Sequence, residues 1–372
     1  IIQNMSNHQH LQDILLKAEN GTGLSGQNIV DLLNLENPQQ IQKLFETARK
    51  VRGQHFHKRI FLYGFLYTST YCRNDCSFCF FRRSNPDSTR YRKDTSDILS
   101  AAMRLAKSGV HLIDLTMGED PVLFNATGDG FEQLLDLVIS LRKTIGLPVM
   151  VSPGVMSPHQ LDRLAEAGAS WYACYQETHT RRLFKELRPQ QDFDTRMTAK
   201  VNAHSSGLLI EEGLLCGVDE TLDDLAHSLM AMKKLHADQI RSMTFIPQPG
   251  TPMAGISPAG SHRETILTAV MRILFPDILI PASLDVDGID GLKRRLDAGA
   301  NVVTSIVPPG SGLAGVARHS LGIEDGSRTV SAVSSVLAAC ELEIATQEEY
   351  EHWITRRRKH ILDQDSVSKQ SA

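Results

Sequence analysis

Three cysteines stand close together in Tyr71-Cys72-Arg73-Asn74-Asp75-Cys76-Ser77-Phe78-Cys79, at spacing C-x3-C-x2-C, with an aromatic residue just before the third. Three thiolates within eight residues can grip three corners of one iron–sulfur cube. A four-iron cluster normally takes four cysteines. The next cysteine in the chain is Cys174, so one iron is expected to stay open to something other than protein. The spacing differs from the C-x2-C-x2-C-x3-C run of ferredoxins and from the paired C-x2-C hooks of a zinc ribbon. Core thiols, or a zinc site short of a ligand, are the plainer alternatives.

The bulk properties set bounds on what such a cluster could serve. At 372 residues the chain can build one large domain or two smaller ones. With 41% apolar and 22% charged residues it has an ordinary globular composition. A net charge of −4 gives no electrostatic case for nucleic acid or a membrane surface. Six cysteines, unevenly spread, do not make a secreted disulfide framework. There is no run of about 18 apolar residues and no signal-peptide pattern. Unpaired thiols and an oxidisable cluster together lead to the expectation of a reducing cytoplasm.

The elements that must carry the cysteines follow from periodicity. Residues 1 to about 52 read as helical, with Leu11, Ile14, Leu15 and Ile29, Leu32, Leu33 at helical spacing. Gly21-Thr22-Gly23-Leu24-Ser25-Gly26 spells G-x-G-x-x-G, but a helical pattern precedes it, so it reads as a helix–helix turn. From residue 59 short apolar runs alternate with amphipathic helices. The expected strands are 60–67, 111–116, 148–152, 171–175, 208–215, 239–245, 278–283 and 301–306. The expected helices are 95–108, 130–145, 158–167, 178–187, 194–206, 221–236, 262–274 and 288–298, with one more near 325–345. Ser157-Pro158 and Asp219 or Thr221 offer N-caps, and Gly109, Gly168, Gly207 and Gly299 stand where helices should stop. Eight strand–helix repeats in one series point to an α/β chain, a (β/α)8 TIM-type barrel. The expected division is an N-terminal helical extension over 1–58, the barrel over 59–320, and C-terminal helices with a polar tail over 321–372. Arg356-Arg357-Arg358-Lys359 reads as a solvated helix face.

The cysteine spacing, with Phe78 in its place, resembles the signature of the radical S-adenosylmethionine superfamily. The resemblance implies a [4Fe-4S] cluster on Cys72, Cys76 and Cys79. Its open iron would chelate S-adenosylmethionine, and an electron from the cluster would release a 5′-deoxyadenosyl radical. In a barrel the site lies at the C-terminal ends of the strands. There, Met117-Gly118-Glu119-Asp120 resembles the superfamily's Gly-Gly-Glu segment, whose backbone meets the amino group of S-adenosylmethionine; an acidic turn is the bland alternative. Gln176-Glu177-Thr178 and Arg196 resemble the biotin-synthase-like branch, in which Glu serves the ribose or amino side and Arg the carboxylate. A diol suits a carboxylate acceptor and a carboxylate suits a guanidinium fork. Arg188 competes with Arg196 for that carboxylate, with Arg196 preferred, and Ser152 is a weaker candidate.

A narrower resemblance, from about 25 to 320, is to the methylornithine synthase family of pyrrolysine biosynthesis. Blocks that carry it include Leu66-Tyr67-Thr68-Ser69-Thr70-Tyr71-Cys72, Asp114-Leu115-Thr116-Met117-Gly118-Glu119-Asp120-Pro121, Met243-Thr244-Phe245-Ile246-Pro247-Gln248, Ile280-Pro281-Ala282-Ser283-Leu284-Asp285 and Ala298-Gly299-Ala300-Asn301-Val302-Val303-Thr304-Ser305. It implies a mutase that turns L-lysine into (3R)-3-methyl-D-ornithine by hydrogen abstraction, carbon–carbon cleavage and rejoining at a different carbon. It also implies an external one-electron donor such as flavodoxin or ferredoxin. Lysine brings one carboxylate and two ammonium groups, so a dry pocket should answer with one cation and two anions. The resemblance puts Arg241 and Ser283 on the substrate carboxylate and Asp285 and Asp114 on the amines. Ser283 and Asp285 should face the same way on alternating strand geometry. Taken singly, each could be a barrel-interior salt bridge. The rival functions are a hydrogenase-maturase-like enzyme acting on another amino acid or a thiazolidine, and a non-enzymatic iron–sulfur scaffold.

Other features carry less. Gly310-Ser311-Gly312-Leu313-Ala314-Gly315 reads as a rim loop, Cys174, Cys216 and Cys340 as core thiols, and His55-x-His57 as a weak metal pattern.

Overall fold

A computed structural model describes residues 2–125, 127–258, 260–308 and 327–370, without the side chains of 2–8, 360 and 362–370. Helices α1 (Ile2–Glu19), α2 (Gly26–Leu33) and α3 (Pro38–Phe56) precede strand β1 (Arg59–Ser69). The chain then alternates through α4 (Thr95–Ser108), β2 (Leu112–Met117), α5 (Asp129–Ile145), β3 (Val149–Ser152), α6 (Pro158–Glu166) and β4 (Trp171–Ala173). It continues through α7 (Arg181–Leu187), α8 (Phe193–Ser205), β5 (Leu209–Cys216), α9 (Leu222–Lys234), β6 (Gln239–Thr244), α10 (His262–Leu274), β7 (Pro281–Ser283), α11 (Leu292–Asp297) and β8 (Val302–Ile306). Last come α12 (Val330–Ala339), β9 (Glu343–Ile344) and α13 (Gln347–Gln370). Among the described residues no helix is long and apolar enough to cross a membrane.

The strands are parallel neighbours in the order β6-β5-β4-β3-β2-β1-β8-β7. A bridge between Gln239 and Leu279 joins the two ends, with Ile240 N donating to Leu279 O at 3.0 Å. This is the expected (β/α)8 barrel. β1 is buried along nearly its whole length because side chains on both faces are covered. Gly64 lets α4 lie close on it: a Cβ there would stand 2.9 Å from Leu105 Cδ1. The cap signals hold. Ser157 and Thr221 close capping boxes, and Gly109, Gly168, Gly207 and Gly299 all take positive φ just before a strand. Thr221, not Asp219, is the α9 cap. Ser25 caps α2, so Gly21–Gly26 is the helix–helix turn expected. The rim-loop reading of 310–315 and the boundary near 320 lie outside the described residues.

Two expectations need correction. The helix expected over 325–345 gives way to α12 and a short ninth strand, β9, which extends the start of β1 at Arg59 and Ile60. The basic run of α13 is only half solvated. Arg356 and Lys359 are exposed, but Arg357 Nε donates to Asp238 Oδ1 at 2.6 Å, and Arg358 Nη2 reaches the carbonyls of Ala169 and Ser170. The reason is that α13 closes the bottom of the barrel. Trp353 stacks on Trp171 with centroids 5.9 Å apart, and Tyr350 OH donates to Tyr63 OH at 2.7 Å. Below, the barrel interior is therefore apolar, filled by Phe61, Met150, Trp171, Leu209 and Leu279. Trp353→Ala should cost about 3–5 kcal/mol in denaturant unfolding, the usual loss for a buried Trp. A loss under about 1 kcal/mol, the level of a surface change, would mean α13 does not close the floor.

Candidate functional site: a three-cysteine loop beside a charged chamber

Side chains alternate along each strand, so the residues that fill the floor and those that line the mouth lie on the same inward face. On β2 that face runs Leu112, Asp114, Thr116. Its lower member is apolar and its upper members are polar, as are Ser152 on β3 and Arg241 on β6.

The cysteines lie in the loop between β1 and α4. Arg90 ties this loop together by donating to the carbonyls of Thr70, Phe81 and Arg82. Ser77 N donates to Leu187 O at 2.8 Å and Arg73 N to Glu119 O at 2.9 Å, fastening it to the ends of α7 and β2. Gly118 permits the second contact: a Cβ there would stand 2.3 Å from Tyr71 O and 2.9 Å from Cys72 Cβ. Cys72, Cys76 and Cys79 line one cavity of ≈140 Å³ together with Phe78, Met117 and Gly118. Among the described residues no three His, Cys, Asp or Glu side chains close on a single ion position; the sulfurs instead share a cavity wall. Burial pushes the Cys72 and Cys79 thiols up, and the neighbouring sulfurs push Cys79 further. Raised this way, the Cys72 and Cys79 thiols are poor anions alone, and three crowded sulfurs are good ligands for a polycation. Arg188 Nη1 and Gln191 Nε2 point at Cys76 Sγ, at 3.4 and 3.1 Å.

The same cavity reaches Glu119, Ser152, Glu177, Arg188 and Arg196. Burial pushes the Glu119 carboxyl up, but Arg196 and Arg73 outweigh it and hold Glu119 below its ordinary value. Glu119 Oε1 accepts from Arg196 Nη1 at 3.0 Å and from Val155 N at 3.3 Å. Its side chain is thus spent on protein, and the Met117–Glu119 segment has main chain to offer. Arg196 Nε donates to Tyr175 O at 2.7 Å, and its Nη2 makes no hydrogen bond among the described residues. Arg188 Nη2 donates to Glu177 Oε1 at 2.6 Å. Glu177 Oε2 is buried with no partner among the described residues. Glu177 also holds φ 67°, a left-handed geometry worth on the order of 1–3 kcal/mol of strain. An unpaired carboxylate oxygen facing a cavity needs donors, and a ribose diol would supply them. The three sulfurs, the free guanidinium nitrogen and this oxygen together fit a cluster bearing S-adenosylmethionine.

A second cavity of ≈150 Å³ shares Phe78, Cys79, Thr116, Ser152, Tyr175 and Glu177 with the first. Asp114, Arg241, Ser283 and Asp285 line it, as the sequence led one to expect, with Phe65, Leu215 and Phe245 as apolar walls. Ser283 Oγ donates to Asp285 Oδ2 at 3.0 Å, so the two do face the same way. The charge inventory differs from the expected one cation and two anions. Glu211, fully buried, accepts from Arg241 Nε at 2.6 Å, from Gln239, and from Tyr175 OH at 2.6 Å. Arg328 grips Asp285 through Nη1 at 2.8 Å. Among the described residues, apart from the neutral pairs Glu264–Arg295 and Glu177–Arg188, three carboxylates (Asp114, Glu211, Asp285) therefore face two guanidiniums (Arg241, Arg328). One negative charge is left over. It centres on Asp114, whose only hydrogen bond among the described residues is from Thr116 Oγ1, at 3.1 Å. Burial and then Glu211 push the Asp114 carboxyl up to about 7, against the pull of Arg241 and Thr116.

Sequence reasoning missed Glu211, Arg328 and Gln191. Glu211 had a signal, an acid inside an otherwise apolar strand. Arg328 and Gln191 had none, because their partners are distant in the chain. Cys174 and Cys216 are buried and Cys340 half-buried, all unpaired.

The Radical SAM superfamily profile matches residues 66–231. The 3-methylornithine synthase of Methanosarcina acetivorans is 40% identical over 335 residues, covering 90% of this chain and 94% of that protein. A crystal structure of methylornithine synthase superposes with a TM-score of 0.86 at 39% identity, over 91% of this chain and 99% of that one. The hydrogenase maturase subunit HydE of Thermotoga maritima is 29% identical over 265 residues, 70% of this chain and 74% of its own length. On this identity and coverage the chain belongs to the 3-methylornithine synthase family of the radical SAM superfamily.

Proposed function

We propose that this protein rearranges L-lysine into (3R)-3-methyl-D-ornithine, the first step of pyrrolysine biosynthesis. The observation that carries the reading is the chamber beside the cysteine cavity: its described side chains carry one surplus negative charge, opposite to the net charge of lysine.

In this reading Cys72, Cys76 and Cys79 hold a [4Fe-4S] cluster through three irons. The Met117-Gly118-Glu119 backbone takes the amino group of S-adenosylmethionine, Arg196 its carboxylate, and Glu177 its ribose, with Ser152 beside them. Arg188 orients Glu177 and donates to Cys76. Together the cluster and S-adenosylmethionine supply hydrogen-atom abstraction from the substrate. An external one-electron donor such as flavodoxin or ferredoxin supplies the reducing electron. Arg241, kept in register by Glu211, binds the lysine carboxylate with Ser283. Asp114 and Asp285 bind the two ammonium groups. Phe65, Leu215 and Phe245 enclose the carbon chain, exclude water, and keep the two fragments within rejoining distance after carbon–carbon cleavage.

The test is reduced, cluster-reconstituted protein incubated with S-adenosylmethionine and L-lysine, read by mass spectrometry. The expected product is 3-methylornithine. Turnover of a different amino acid or a thiazolidine, with lysine untouched, would favour a hydrogenase-maturase-like activity instead. Glu177→Gln should weaken S-adenosylmethionine binding by about tenfold or more, the worth of roughly 1.4 kcal/mol. Iron content should stay at the wild-type level, as measured by equilibrium dialysis alongside iron assay. Unchanged affinity would remove Glu177 from the site.

A further inference from the structure

Behind Glu177, on the outer side of the barrel wall, lies a charged cluster that the function above does not use. Lys200 and Glu212 form an ion pair with both side chains wholly excluded from solvent. Glu212 Oε1 accepts from the Gln176 backbone N–H at 2.7 Å and from Gly213 N at 2.8 Å. Lys200 Nζ donates to Gln176 Oε1 at 2.9 Å as well as to Glu212 Oε2. Gln176 Nε2 donates to Phe193 O at 3.2 Å, and His179 Nε2 stands 3.5 Å from Glu212. Both members of the pair thus hold the residue just before Glu177, Glu212 through its backbone N–H and Lys200 through its side-chain oxygen. Glu177 itself holds its left-handed φ while bridging to β5, with N donating to Gly213 O at 3.1 Å and O accepting from Leu215 N at 3.0 Å.

A buried ion pair is weak evidence for stability, because desolvation offsets its attraction; fixing one geometry among several is a better-attested use. We infer that Lys200 and Glu212 are positioning residues that clamp Gln176 and so fix the Glu177 carboxylate toward S-adenosylmethionine. The operative contact is the Glu212 oxygen on the Gln176 amide. The inference rests on the reading that Glu177 receives the ribose.

The test compares Lys200→Met/Glu212→Met, which deletes that acceptor, with Lys200→Met/Glu212→Gln, which keeps it. S-adenosylmethionine affinity is measured by equilibrium dialysis without reductant, beside iron content and Tm. The Met/Met protein should keep its iron and bind S-adenosylmethionine at least about tenfold more weakly. The Met/Gln protein should stay within about threefold of wild type. Equal affinities in the two, or a tenfold loss in both, would overturn the clamp. Should Met/Met fail to fold, Lys200→Gln/Glu212→Leu, which keeps a donor for Gln176 Oε1 and deletes the Glu212 acceptor, is expected to weaken binding by the same factor of about ten; affinity equal to that of Met/Gln there would equally overturn the clamp. Glu177→Gln is the control. Normal binding in that variant would defeat the site reading itself, whereas weakened binding there with normal binding in Met/Met defeats only the clamp.

Discussion

Cys76→Ala is expected to abolish cluster assembly and, with it, every turnover of S-adenosylmethionine. Two sulfurs cannot hold three corners of a cube, and the Arg188 and Gln191 donors that now point at Cys76 Sγ would have no anion to stabilise. Iron and sulfide per chain should fall to background after reconstitution. Release of 5′-deoxyadenosine should drop by at least about a thousandfold, or roughly 4 kcal/mol of barrier. The fold should survive, because the loop is held by Arg90, Ser77 and Arg73 through backbone contacts that do not involve the sulfur. Circular dichroism of the metal-free variant should match the metal-free wild type. Wild-type iron content in this variant would mean the loop is not the cluster site.

Asp114→Asn is expected to move stability and activity in opposite directions. With its carboxyl pushed up to about 7, Asp114 binds its proton more tightly folded than unfolded. Its contribution to stability is therefore fully present below about pH 4 and is lost as pH rises through about 7. At pH 8 the wild type carries the whole cost of an unpaired buried carboxylate, at most on the order of 4 kcal/mol. Asn carries none of it. The variant should be more stable than wild type at pH 8, with the difference vanishing near pH 4, as read from denaturant midpoints of the metal-free protein. Lysine affinity should fall by about a hundredfold, as for loss of a buried charge partner worth roughly 3 kcal/mol. In the wild type, lysine should bind more weakly as pH drops below about 7, because the neutral acid cannot pair with an ammonium. A variant that is less stable at pH 8 and still binds lysine would make Asp114 a structural residue.

What the sequence made legible was local or periodic. Short apolar runs, cap residues and helix-ending glycines are written in a few adjacent letters, so the barrel could be read strand by strand. The mouth was legible because strand alternation puts polar residues toward the ends of otherwise apolar runs, as at Asp114 and Ser283. What was not legible depends on partners far away in the chain. Arg357 and Arg358 sit in a four-residue basic run that reads as solvated. Only the open floor of the barrel, with Asp238 and the Ser170 carbonyl, turns them inward. Tyr350 and Trp353 face that floor for the same reason. β9 is a two-residue strand, too short to register against the helices around it. Arg328 meets Asp285 across 43 residues, and no periodicity links them. Glu211 was visible as an acid inside a strand, yet its role is set by Arg241, Gln239 and Tyr175 on neighbouring strands.

The central claim is that a lysine held by Asp114, Arg241 and Asp285 lies within reach of the chemistry at Cys72, Cys76 and Cys79. It is tested most directly with L-lysine deuterated at its side-chain carbons, given to the reduced wild-type protein with S-adenosylmethionine. Deuterium should appear in 5′-deoxyadenosine or in recovered S-adenosylmethionine, together with labelled 3-methylornithine. Release of 5′-deoxyadenosine free of deuterium, with the lysine recovered unchanged, would contradict it.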